Sequence, residues 1–210
     1  MTGVPWDQRL ARVLVRSLAG SPVRPNHITT LSLALAFGAG ALYARGEAVA
    51  ANWAAVLFVL ARFLDHADGE LARLTGRTSR FGHYYDFAVG ALSSAALFIG
   101  IGFGLGRSVL GAWSSVAGIV AGSCAFVAMA LGLGVEARQG SSGGGYYPAF
   151  GGFELEDGIY LVAPLTWVGA LLPFFVLAGL GQVVFCLWMG LRFARARRTP
   201  AFPPSRNGDT

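Results

Sequence analysis

Asp65 and Asp68 stand three residues apart in the segment LDHADGELARLTGRTSRFGHYYDFAVG, and Asp86 follows near its end. At helical spacing the first two carboxylates share a face with Gly69, Ala72 and Arg73. About two turns therefore present two acids, a stretch of bare backbone and one base. Gly82 and Asp86 are four apart and open the next helix on one face. Carboxylates this close repel one another and need a cationic partner. Two kinds of partner fit the sequence: the arginines Arg62, Arg73 and Arg77, or a hard divalent cation, Mg²⁺ or Mn²⁺, held by carboxylate oxygens. Small residues at 69, 72 and 82 favour the ion, because they clear room for a bulky ligand against the backbone.

The elements that must position these groups are apolar helices. Of the 210 residues 54% are apolar and 13% charged, too little polar surface to cover a soluble domain of this size. The reading is an all-α polytopic membrane protein in one domain. Six spanning helices are expected at 27–46, 49–75, 81–105, 109–136, 154–177 and 179–196, each long enough for a core about 30 Å thick. Residues 1–26 are expected to form an amphipathic surface helix and linker, with Trp6, Leu10, Val13 and Leu14 opposite Arg9, Arg12 and Arg16. The six-helix domain then covers 27–197, and 198–210 is a cytoplasmic tail.

All sixteen basic residues are arginines, and they crowd the amino terminus, the turn at Arg73, Arg77 and Arg80, the loop near Arg138, and the tail from Arg192. By the positive-inside rule both termini and the acidic segment face the cytoplasm; a bacterial inner membrane is the expected location. The basic excess suits acidic lipid heads, and nucleic-acid binding is not expected. Gly100, Gly102, Gly104 and Gly106 lie in an apolar helix without a preceding strand, so they are read as close helix packing and not as a nucleotide fingerprint. Such glycine faces on the third and fourth segments would also suit a homodimer. Cys124 and Cys186 fall inside apolar segments and read as small core residues. The glycine-rich stretch 140–152 reads as a cytoplasmic loop.

The acidic segment resembles the signature of the CDP-alcohol phosphotransferase family, DxxDGxxAR, eight residues, then GxxxDxxxD. Asp65, Asp68, Gly69, Ala72, Arg73, Gly82 and Asp86 match it with every spacing intact, and Arg24, Pro25, Asn26, Ile28 and Thr29 resemble the segment that opens the family's first helix. The resemblance implies a transferase of phospholipid biosynthesis. It would move a substituted phosphate from a CDP-linked lipid donor, CDP-diacylglycerol by expectation, to a small alcohol with release of CMP. It further implies that Asp65, Asp68 and Asp86 bind Mg²⁺ or Mn²⁺ and that Gly69, Ala72, Arg73 and Gly82 accommodate the CDP moiety.

At the place of the family's fourth aspartate, which helps bind metal and acts as the base, this chain has Gly90. Glu154 and Asp157 share a face at the start of the fifth expected helix and are the candidate replacement base, with Glu156 pointing elsewhere. Acidic groups there also suit the helix dipole. His66 and His83 flank the motif and read as hydrogen-bond partners of its carboxylates, and Tyr84 and Tyr85 as interfacial anchors. A catalytically silent member that binds nucleotide, lipid and metal is the alternative. A small transporter gives no reason for the glycine and alanine spacing.

Overall fold

The computed structural model describes residues 15–16, 20–139, 149–150 and 153–198, with backbone alone at 139, 149–150 and 153–157. The expected surface helix over 1–26, the glycine-rich loop and the tail therefore lie largely outside the described residues. Helix α1 covers Pro25–Ala44, α2 Ala48–Thr75, α3 Arg80–Gly104, α4 Trp113–Gln139, α5 Val162–Trp167 and α6 Leu171–Arg198. A two-residue pairing of β1, Ala149–Phe150, with β2, Phe153–Glu154, precedes a 3-10 helix over Leu155–Leu161.

Helix boundaries follow local chemistry. Pro25 occupies the first turn of α1, where its missing N–H costs no hydrogen bond. Gly76 ends α2 in the left-handed region at φ +64, which a side chain would resist. Three residues later the Ser79 hydroxyl accepts the Gly82 amide at 2.9 Å and starts α3. The turn between the two acidic helix ends is thus short and fixed.

Helix α1 packs on α2 and α3, α3 on α4, α4 on α6, and α5 on α2. The main core lies between these helices, around Tyr43, Phe58, Leu97, Phe98, Ile101 and Phe175. Glycine permits the closest crossings. A Cβ on Gly100 would clash with the Gly40 backbone, and one on Gly102 would meet the Ser114 carbonyl at 2.6 Å. Gly118 in turn lies against the Phe98 carbonyl. The expectation of helix packing at these glycines holds, whereas Gly106 faces open space. The same contacts place the glycine faces of α3 and α4 inside the bundle, so they are not the surface a second copy would meet.

Among the described residues five helices, not six, are long and apolar enough to cross a membrane. The expected fifth span is divided. The 3-10 helix and α5 make only a short apolar segment, Gly158–Trp167, and Gly169 stops it at φ +75. Helix α6 then starts at Leu171 and absorbs the rest of that span together with the sixth. Pro164, Gly169 and Pro173 supply the break, but no charge interrupts the run, so hydropathy alone does not locate it.

Gly100→Ala is expected to destabilise the bundle by about 1–3 kcal/mol through overpacking against α1. Thermal unfolding in detergent would show this as a lowered midpoint, with Gly106→Ala unchanged as the control.

Candidate metal and donor site

Two helix ends and a third helix assemble the site. Ala67 and Leu71 of α2 pack on Ile28 of α1 and on Val15, which fixes the rotation of α2. Helix α1 is in turn tied to α3 by the Thr30 hydroxyl and the Tyr85 phenol, 2.8 Å apart. With both helices held by α1, Asp65 and Asp68 meet Asp86: one oxygen from each lies within 4.8 Å of the others. Sequence spacing alone placed two of these on a face, and the fold adds the third.

The two candidate partners for the acids divide the site between them. Arg62 Nη1 donates to Asp65 Oδ2 at 2.8 Å, both side chains being largely buried. Arg73 turns instead to Glu70, donating from Nη2 to Oε1 at 3.0 Å. Asp68 is 3% exposed, with the Thr29 side chain and the Gly69 amide beside it. Its Oδ2 is buried and has no hydrogen-bond partner among the described residues. A buried carboxylate oxygen left in this state costs at least about 1–3 kcal/mol, and a divalent ion held by these carboxylates would remove that cost. Three hard oxygen donors at this separation fit Mg²⁺ or Mn²⁺.

The residues expected to accommodate a nucleotide lie on the same faces. A Cβ at Gly69 would stand 3.5 Å from both terminal nitrogens of Arg73, so the guanidinium lies across the bare backbone next to Asp68. A Cβ at Gly82 would come within 3.1 Å of Ser79 Oγ and 3.6 Å of Asn26 Oδ1, and its absence leaves the α3 amino end open beside α1. Ala72 is half-buried one turn after Asp68.

Other expectations are met differently. His66 is near Tyr160, whose hydroxyl is 3.4 Å from Nδ1, and His83 Nε2 is 3.1 Å from Glu136 Oε2 on α4. Both histidines thus have a hydrogen-bond partner from another helix. Tyr85 tethers α1 while Tyr84 remains exposed. Gly90 is buried, and a Cβ there would lie 2.9 Å from the Met129 methyl of α4. The backbone places Glu154 in β2 and Asp157 in the 3-10 helix, and their side chains lie outside what is described. No local pattern announces Glu136, Tyr160 or Met129, because each reaches the site from a remote segment.

A family model described as CDP-alcohol phosphatidyltransferase matches residues 23–194. The chain is 31% identical over 90 residues to archaetidylinositol phosphate synthase of Pyrococcus horikoshii, covering 42% of this chain and 46% of that protein. It is 37% identical over 79 residues to phosphatidylinositol phosphate synthase of Streptomyces avermitilis, covering 37% of this chain and 31% of that protein. Each match thus spans less than half of the curated relative's length. In fold the chain is similar to Mycobacterium tuberculosis phosphatidylinositol phosphate synthase with CDP-DAG bound, at TM-score 0.67 and 20% identity, covering 88% of this chain and 94% of that one. The same mycobacterial protein in complex with manganese and citrate gives TM-score 0.64 at 19% identity, covering 94% and 96%.

Asp68→Asn is expected to weaken Mn²⁺ binding by at least about tenfold. Electron paramagnetic resonance of free Mn²⁺ during titration reads this directly, and undiminished binding would exclude Asp68 as a ligand.

Proposed function

The chain belongs to the CDP-alcohol phosphatidyltransferase family, and we propose that it transfers a substituted phosphate from CDP-diacylglycerol to an alcohol, releasing CMP, in phospholipid biosynthesis. The observation that carries this reading is the cluster of Asp65, Asp68 and Asp86, in which one buried oxygen has no partner among the described residues. Asp65, Asp68 and Asp86 would hold Mg²⁺ or Mn²⁺. Bound there, the ion would neutralise the donor's diphosphate and stabilise the charge that develops as the bond to CMP breaks.

The remaining roles belong to the chain itself. Gly69, Ala72 and Gly82 leave the room in which the CDP moiety lies against backbone. Arg73, already stretched over Gly69, supports a phosphate oxygen. Glu154 or Asp157 takes the proton of the attacking hydroxyl, replacing the carboxylate that position 90 lacks. The arginine-rich ends of α2 and α6 orient this mouth toward the cytoplasm of a bacterial inner membrane. If the protein forms a homodimer, it does so through a surface other than the glycine faces.

One observation favours a second reading. The Met129 methyl occupies the space beside Gly90, so an apolar group stands where the family carries its fourth acid. A member without turnover would still bind metal and the CDP-linked lipid.

Purified protein in detergent with CDP-diacylglycerol, Mn²⁺ and a panel of alcohols is expected to release CMP only when metal and an acceptor are both present. Asp68→Ala should abolish release. Glu154→Ala or Asp157→Ala should lower it by about 10²–10⁴-fold while donor binding persists. Donor binding without CMP release from any alcohol would select the silent reading.

A further inference from the structure

The 3-10 helix over Leu155–Leu161 joins β2 to α5 and carries Asp157, one of the two acids proposed to take the hydroxyl proton. Ile159 packs this helix on the main core. Gly158 and Ile159 also border the apolar cavity between the helices that Arg62 and Met129 line. From the same helix the Tyr160 hydroxyl stands 3.4 Å from His66 Nδ1 on α2. The two rings are tilted, with centroids 6.3 Å apart.

His66 has a definite place on α2. Arg62, His66, Gly69 and Arg73 follow at helical spacing and form one stripe along the helix. Ala67 and Leu71, which meet α1, lie on another. The 3-10 helix therefore runs beside the stripe that bears Gly69 and Arg73, where the donor's CDP moiety is proposed to lie. Backbone register then separates the two candidate acids. A 3-10 helix turns every three residues, so position 157 is one turn, roughly 6 Å along the axis, from Tyr160. Position 154 lies outside this helix, in β2. A contact that fixes Tyr160 against α2 fixes position 157 directly, and position 154 only through the chain between.

We propose that Asp157, and not Glu154, is the base for the attacking hydroxyl, and that Tyr160 is a positioning residue that holds the 3-10 helix to α2 through His66. The inference rests on the transferase reading. As the acceptor oxygen bonds to the β-phosphorus, its proton passes to the Asp157 carboxylate. The bond from that phosphorus to the bridging oxygen breaks, and CMP leaves with the electron pair. Tyr160 exchanges no proton in this step; it fixes where the base stands. A separation of 3.4 Å is long for a hydrogen bond, and contacts that support catalysis often tighten only when substrate is bound.

The test follows metal-dependent CMP release from CDP-diacylglycerol by the purified chain, with glycerol phosphate, inositol phosphate and ethanolamine as acceptors, and measures donor binding separately. Asp157→Asn is expected to lower kcat by about 10²–10⁴-fold. Tyr160→Phe, which removes one oxygen and keeps the ring, should lower kcat by about 10–100-fold with donor affinity unchanged. The two combined distinguish positioning from general packing. If Tyr160 acts through Asp157, adding Tyr160→Phe to Asp157→Asn lowers the residual rate by less than about twofold. Glu154→Gln should retain most of the rate, and so should Tyr84→Phe on the exposed face of α3. A full rate in Tyr160→Phe, an equal loss from it in both backgrounds, or a loss in Glu154→Gln in place of Asp157→Asn would overturn the inference alone. So would loss of donor binding in Tyr160→Phe, which would make the contact a structural one. Donor binding by the unaltered protein without CMP release from any acceptor would overturn the transferase reading, and the inference with it. Asp157→Ala takes the same place in the comparison if Asp157→Asn does not fold.

Discussion

Three carboxylates held with oxygens within 4.8 Å of one another, at the ends of apolar helices, need positive charge close by. A charged group at the centre of a membrane costs about 2.5–3.5 kcal/mol or more, and mutual repulsion adds to that. Arg62 compensates Asp65, but Arg73 is directed to Glu70, and the buried oxygen of Asp68 has no protein partner among the described residues. The rest of the architecture keeps these groups together. Gly76 and Ser79 set a tight turn between α2 and α3, and α1 holds both helices through Ile28 and Thr30. Three carboxylate oxygens so placed suit a hard divalent cation.

The same arrangement divides the neighbourhood of the carboxylates into two environments. Toward the mouth lie glycine backbone and a guanidinium, which suit phosphate and nucleotide. Away from it, Gly90 and Met129 lead to an apolar cavity. A carboxylate at position 90 would have placed a polar group between the two. With glycine at 90 and a methionine methyl packed against it, no carboxylate stands there.

Much of this was legible in the sequence because it depends on local spacing. The intervals among Asp65, Asp68, Gly69, Ala72, Arg73, Gly82 and Asp86 are helical, and the helices bring the three aspartates together. The glycines at 100, 102 and 104 likewise predicted close crossings, since only backbone can approach backbone so nearly. What failed depended on contacts remote in the chain or on backbone breaks within apolar sequence. Hydropathy is continuous through Pro164, Gly169 and Pro173, so a short segment and the start of α6 read as one span. The pairings of His83 with Glu136 and of Tyr43 with Thr166 join residues far apart in the chain, and no periodicity encodes them. Arg73 could equally have reached an aspartate, and only the folded rotamer shows it on Glu70.

The central claim is that the carboxylate cluster holds a divalent ion through which a CDP-linked lipid binds. Calorimetric titration of the purified protein with CDP-diacylglycerol, in Mn²⁺ and again in excess chelator, tests it most directly. The account predicts tight binding with Mn²⁺ and a loss of at least about tenfold in affinity without it. Equal affinity under the two conditions would contradict the claim, because the acidic cluster would then have no part in recognising the donor.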